Sequence, residues 1–178
     1  MSRIEVRLTG FGGQGVVLSG IILARAAMYD KKEMVQTQSY GPEARGGACR
    51  SEVVISEEAI LYPLVEEADI LVAMSQEALD KHIDSIKKGG TLIIDSDTIS
   101  RVPEKIGIKV NKVPATSIAS EKLGKGIVAN IVMLGALTNL ADIVSKEAME
   151  KAVKESVPQG TEAINLKALE EGYLCAQK

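Results

Sequence analysis

The sequence predicts an α/β fold, a three-layer sandwich with a mostly parallel, partly mixed sheet and a helical C-terminal third, forming one domain over residues 1–178. Three observations carry this prediction. Short apolar runs alternate with helix-length segments through residue 95. The alternating run ACRSEVVIS (48–56) follows its neighbour after only a short loop, which sets one antiparallel strand into the sheet. After Pro114 the pattern is helical to the end.

The elements follow in order. RIEVRL (3–8) alternates and predicts the first strand, with a glycine-rich turn behind it. Residues 16–28, rich in Ala, Leu and Ile, predict a helix that stops at Tyr29-Asp30-Lys31-Lys32. EMVQTQ (33–38) is the second strand, SYGPEARGG (39–47) a loop by composition, and 48–56 the third strand. ADILVAMS (68–75) is nearly continuous in apolar residues, as a strand covered on both faces should be. Residues 77–88 predict a helix closed by Gly89-Gly90. TLIID (91–95) and IKVNKV (108–113) are further strands, and helices are expected over 115–123, 126–141, 145–156 and about 162–175.

Composition narrows the function. One Phe, four Tyr and no Trp leave an aliphatic core and no stacking platform for single-stranded bases. A net charge of -3 with interleaved signs argues against a nucleic-acid footprint. Cys49 and Cys175 lie far apart with no Cys or His beside them, so no zinc or iron–sulfur site is expected from this chain alone, and a reducing cytoplasm suits it. The charged start MSRIEVRLTG reads as no signal peptide. The longest uncharged run, residues 126–141, has 16 residues, short of the roughly 20 a membrane span needs. It is expected as a helix buried in the domain's own core or against a partner.

The turn GFGGQG (10–15) carries the first candidate site. Gly10 is expected to permit a tight exit from the strand, and Gly12 and Gly13 to clear space for a ligand or another backbone. Gly15 would let the helix pack closely, and its first N–H groups, with Gln14 beside them, would favour an anion. The plain alternative is a tight turn with no ligand. A dinucleotide site also demands an acid at the end of the second strand, about 20 residues on. Gln38, Ser39 and Tyr40 stand there instead, which argues against a nicotinamide.

SYGPEARGG is the second candidate. Pro42 stiffens it, Gly41, Gly46 and Gly47 let it fold close to something, and Arg45 is a cation for a carboxylate or phosphate. Ligands in open sheets collect beyond the carboxyl ends of parallel strands, so the two glycine loops should converge there. GFGGQG followed by QSYGPEARGG and ACRSEVVIS resembles the gamma subunit of the 2-oxoacid:ferredoxin oxidoreductases. ADILVAMS, KKGGTLIID and NIVMLGAL fall in that family's order, so the likeness spans the whole chain. Within the family, SYGPEARGG is most similar to the 2-oxoglutarate branch.

The resemblance implies a division of labour. Partner subunits (alpha, beta and, in some complexes, a ferredoxin-like delta) hold thiamine diphosphate and iron–sulfur clusters and decarboxylate the 2-oxoacid oxidatively. Coenzyme A takes the acyl group and ferredoxin the electrons. The gamma subunit binds no cofactor alone and helps to shape a shared coenzyme A site. It implies that Gly10, Gly12, Gly13, Gln14 and Gly15 receive phosphate, while Ser39, Tyr40, Gly41, Arg45, Gly46 and Gly47 face the thiamine-containing subunit.

The residues agree with a chain that has no catalytic group of its own. The single histidine, His82, lies among Asp80, Lys81 and Asp84 and is expected on a solvated face. No Ser-His-Asp or Cys-His arrangement can be assembled around it. Cys49 is expected as a buried free thiol, and Lys122 and Lys125 as a solvated charged turn. The alternatives are a stand-alone Rossmann-like nucleotide-binding oxidoreductase or regulatory domain, and an assembly scaffold whose glycine loops stay empty.

Overall fold

The computed structural model describes residues 3–40, 48–104 and 107–176. Six strands form one sheet in the order β2-β3-β1-β4-β5-β6. They are β1 (Ile4–Phe11), β2 (Glu33–Tyr40), β3 (Ala48–Ser56), β4 (Ala68–Ala73), β5 (Ile86–Asp95) and β6 (Lys109–Val113). β1 pairs in parallel with β4, β4 with β5 and β5 with β6. β3 alone runs antiparallel, lying between β1 and β2. The predicted mixed sheet is therefore present, and its antiparallel strand is ACRSEVVIS.

Helices flank it unequally. Val6, Leu8, Val72 and Ile93 face a thick layer made by α1 (Val16–Tyr29), α4 (Ala129–Ala141), α5 (Lys146–Ser156) and α6 (Glu162–Cys175). Leu71, Ala73, Leu92 and Ile94 face the other way, onto α2 (Gln76–His82) and the 3₁₀ turn Ile83–Ser85. The alternation of side chains along β4 and β5 is what feeds both layers. α3 (Ala115–Ser117) continues as a π-type segment, Ile118–Lys122, before α4.

α4 is buried along almost its whole length, from Ala129 to Thr138. Its cover is the domain's own α6 and α1, which answers the choice between core and partner. The crossing with α6 is made backbone to backbone. A Cβ added at Gly135 would lie 2.9 Å from the Gly172 Cα and collide with the Leu169 carbonyl. One added at Gly172 would lie 2.8 Å from the Gly135 Cα and strike the Val132 carbonyl.

Two expected boundaries are corrected. β1 does not stop before the glycine turn but runs through Gly10, which pairs with Cys49, to Phe11. Gly89-Gly90 does not cap a helix: α2 ends at His82 and both glycines lie inside β5. Gly89 takes φ +84 and donates to the Gly107 carbonyl at 2.8 Å, while the β4–β5 register shifts between Ala68 and Ile70. A glycine pair at a strand irregularity looks the same in sequence as one behind a helix.

Candidate functional site

Because β2 and β1 both run antiparallel to β3, the carboxyl ends of β1, β2, β4, β5 and β6 share one sheet edge. The glycine turn leaves β1 there. Tyr40 and Ala48, the strand ends that border residues 41–47, stand in register with Cys49 and Phe11. Both candidate segments thus start from strand ends at the same corner of the sheet. Gly41, Arg45, Gly46 and Gly47 lie outside the described residues.

The turn is built by contacts rather than by glycine freedom alone. At Gly10 the requirement is space, since a Cβ would lie 2.5 Å from Gln14 Oε1 and 2.8 Å from Val16 Cγ2. The Gln14 side chain bridges the turn: Oε1 accepts from the Phe11 N–H at 2.9 Å, and Nε2 donates to the Met74 carbonyl at 2.7 Å. This amide fastens the turn to the end of β4. Gly15 takes φ +75, and its carbonyl accepts from the Ser19 N–H at 2.9 Å and Asn130 Nδ2 at 3.3 Å. A side chain there would be strained in φ and would meet Asn130 at 2.5 Å.

Above this braced floor the turn is open. Gly12 and Gly13 are exposed, Gly13 holds φ +104, and nothing lies within 4 Å of where its Cβ would be. The first turn of α1 carries no acidic residue, and Gly15, its N-cap, offers no side chain to cap it. Its leading N–H groups have no helical acceptor and carry the positive end of the helix dipole. The arrangement suits an anion with several oxygens, such as a phosphate or diphosphate.

Ser39 is exposed at the end of β2, across from Arg50. Arg50 is the half-exposed cation that the described structure places at this edge, with Glu52 Oε1 3.9 Å from its Nε. Sequence reasoning passed over it because strand alternation alone does not tell a solvated arginine from a placed one. Asn130 was visible as a polar residue in an apolar helix, but only the fold brings it to Gly15. Asp95, fully buried at the end of β5, accepts from Thr116 Oγ1 at 2.6 Å and from the Asp97 N–H at 3.2 Å. Burial raises its pKa against those hydrogen bonds. The Cys49 thiol is buried and its pKa raised by that burial, as expected of an inert free thiol.

His82 corrects the sequence expectation of a solvated face: it is 7% exposed. Its burial, and to a lesser degree the positive charges of Arg7, Arg50 and Lys81, pull its pKa down to about 4. An exposed imidazole titrates near 6.5, so unfolding takes up a proton between these values and stability falls as the pH drops from about 6.5 to 4. Asp95, with its raised pKa, works in the opposite direction. His82→Gln should therefore lose less melting temperature between pH 7 and pH 5 than the wild type, with Asp95 common to both. Equal losses would place His82 in solvent.

Among the described residues no cluster of His, Cys, Asp and Glu could hold a metal, and no helix is long and apolar enough to cross a membrane. Residues 5–175 match the sequence pattern of the pyruvate ferredoxin/flavodoxin oxidoreductase family. The chain belongs to this family. It is 59% identical over 179 residues to the 2-oxoglutarate synthase subunit KorC of Methanocaldococcus jannaschii, covering 99% of this chain and 95% of that one. The gamma subunit of a keto/oxoacid ferredoxin oxidoreductase from Geobacter sulfurreducens superposes with a TM-score of 0.87 at 45% identity, over 97% of this chain and 98% of that one.

The 2-oxoglutarate:ferredoxin oxidoreductase of Magnetococcus marinus, solved with 2-oxoglutarate, coenzyme A and succinyl-CoA bound, superposes with a TM-score of 0.88 at 25% identity. The likeness takes in 99% of this chain and 31% of that one. Within the oxidoreductase family the chain is thus a gamma-type accessory subunit, matched along its length by a free-standing subunit. The stand-alone nucleotide-binding alternative is not favoured. The strand order gives the physical reason: β1 has antiparallel β3 beside it, so the end of β2 lies one strand too far for a ribose-binding acid, and it carries none.

Proposed function

We propose that the chain is the gamma subunit of a 2-oxoglutarate:ferredoxin oxidoreductase and contributes the phosphate-binding wall of a coenzyme A site shared with its partners. The observation that carries this is the turn at residues 10–15, with its floor held by Gln14 and Asn130 and its amide groups open at the carboxyl edge. The KorC relative and the coenzyme A in the Magnetococcus enzyme support the choice of substrate and ligand.

In this scheme the chain binds and orients. Gly12, Gly13 and the first N–H groups of α1 receive the diphosphate or phosphate, and Gln14 keeps the turn in shape for it. Ser39, Tyr40 and the 41–47 segment face the thiamine-containing subunit, with Arg45 as the charged contact. Thiamine diphosphate and the iron–sulfur clusters belong to the alpha, beta and ferredoxin-like delta partners, which decarboxylate the 2-oxoacid and pass electrons to ferredoxin. The free thiols of Cys49 and Cys175 fit a reducing cytoplasm.

The test is steady-state kinetics of the assembled enzyme. Gly12→Val should raise KM for coenzyme A by about tenfold, the loss of about 1.4 kcal/mol of phosphate contact, with normal assembly and 2-oxoglutarate KM. Arg45→Ala in the same assay should lower turnover or weaken association. An unchanged coenzyme A KM in intact complex would sink the phosphate assignment, and full activity of Arg45→Ala at normal stability would reduce that loop to a structural connection.

A further inference from the structure

The edge of the sheet opposite the glycine turn carries a surface that the shared coenzyme A site does not use. Residues 57–67 cross there between β3 and β4. Leu61 is 94% exposed, Tyr62 48% and Leu64 49%, three adjacent large apolar side chains in water on a short segment. They border a groove of about 900 Å³.

This segment is held in place. Arg3 donates to the Tyr62 and Leu64 carbonyls, the latter at 3.1 Å, and Arg7 Nη2 donates to the Val65 carbonyl at 2.6 Å. Val65 and Ile60 point inward, onto Val54 and Ala68. The Glu58 N–H is tied to Ser56 Oγ at 3.0 Å. Two arginines and two apolar anchors thus fix the backbone so that Leu61, Tyr62 and Leu64 face outward. A fixed apolar surface loses little entropy on binding. An exposed patch without a partner is a liability in a soluble chain.

The charge around it selects the partner. Glu57, Glu58, Glu66 and Glu67 are all exposed on this segment. The nearby cations are engaged, Arg3 with Glu5 and Lys87 with Asp69. Two copies of this surface facing each other would bring their glutamates together at like charge, and an anionic lipid surface would be repelled in the same way.

We propose that residues 57–67 form a docking face for another subunit of the same oxidoreductase, one that presents an apolar socket ringed by lysine or arginine. This rests on the chain being a subunit of that complex. It gives the molecule a second contact with its complex, at the edge of the sheet opposite the one that carries the glycine turn and the 39–47 segment.

The test is co-expression of the full chain with the remaining subunits of its enzyme, read by native mass and by affinity of the purified chain for the rest. Leu61→Asp should raise Kd at least tenfold or abolish assembly, while the isolated variant keeps its melting temperature, since Leu61 is 94% exposed. Tyr62→Ser, which also gives up the hydroxyl contact to Glu66, should weaken assembly in the same direction. Glu66→Lys with Glu67→Lys should weaken association likewise, and rising salt should weaken the wild type. Variants that assemble like a complex-forming wild type would overturn this proposal and leave the subunit assignment standing. A wild-type chain that does not assemble would overturn both. Dimers of the isolated chain that Leu61→Asp splits, with assembly unaffected, would give the surface to a second copy and overturn the proposal.

Discussion

Gly172→Ala is expected to destabilise the folded chain by about 3 kcal/mol, a fall in Tm of roughly 6–12 °C for a domain of this size. The sign is what makes the experiment decisive. In a helix that merely runs through solvent, exchanging Gly for Ala gains close to 1 kcal/mol. Here the added methyl lands against the Val132 carbonyl and the Gly135 Cα, which are backbone and cannot swing aside. The helices must separate, and the buried apolar length of α4 loses contact with α6. Gly135→Ala should act in the same direction through the Leu169 carbonyl, and the pair should cost less than the sum because either one already opens the seam. Thermal or urea unfolding of the isolated chain measures it, and a gain in stability would refute the close crossing.

Glu52→Leu should cost about 3–5 kcal/mol, again by unfolding of the isolated chain. Glu52 Oε1 lies 2.6 Å from Arg7 Nε inside the sheet's thinner layer, with both side chains nearly out of solvent. Removing the carboxylate leaves the Arg7 guanidinium buried without its counter-charge, beside Arg50 and a histidine already held neutral. Restoring electrical balance should restore much of the loss, so Arg7→Met combined with Glu52→Leu is expected to be more stable than Glu52→Leu alone. Recovery will be incomplete, because Arg7 also holds the Val65 carbonyl. Strictly additive losses would show that the two residues do not act as a pair.

Much of the fold could be read from local pattern. ACRSEVVIS was legible as a strand and as antiparallel because alternation and a short preceding loop are both local signals. The last three helices, α4, α5 and α6, were legible as long helical segments, whereas the helix expected over 115–123 is a three-residue α-turn continued as a π segment. What escaped depends on neighbours far away in sequence. The end of β1 was hidden because Gly10 and Phe11 become strand only by pairing with Cys49 and Ala48. His82 looks solvated among charged neighbours, yet α2 packs against β1 and β3, strands distant in sequence, and these bring the charges of Arg7 and Arg50 to bear on it. The glycine turn itself was plain in the sequence, but its braces were not: Gln14 reaches a carbonyl 60 residues on, and Asn130 reaches one 115 residues back.

Those spans fix when the turn can be completed during synthesis. Gly15 leaves the ribosome early, but the amide that supports its carbonyl is residue 130, and the helix bearing that amide is seated by Gly172. At about 5–20 residues per second, the interval between the turn's emergence and its last support is many seconds. The braced form of the turn therefore waits on α4, and on the close crossing with α6 that seats it.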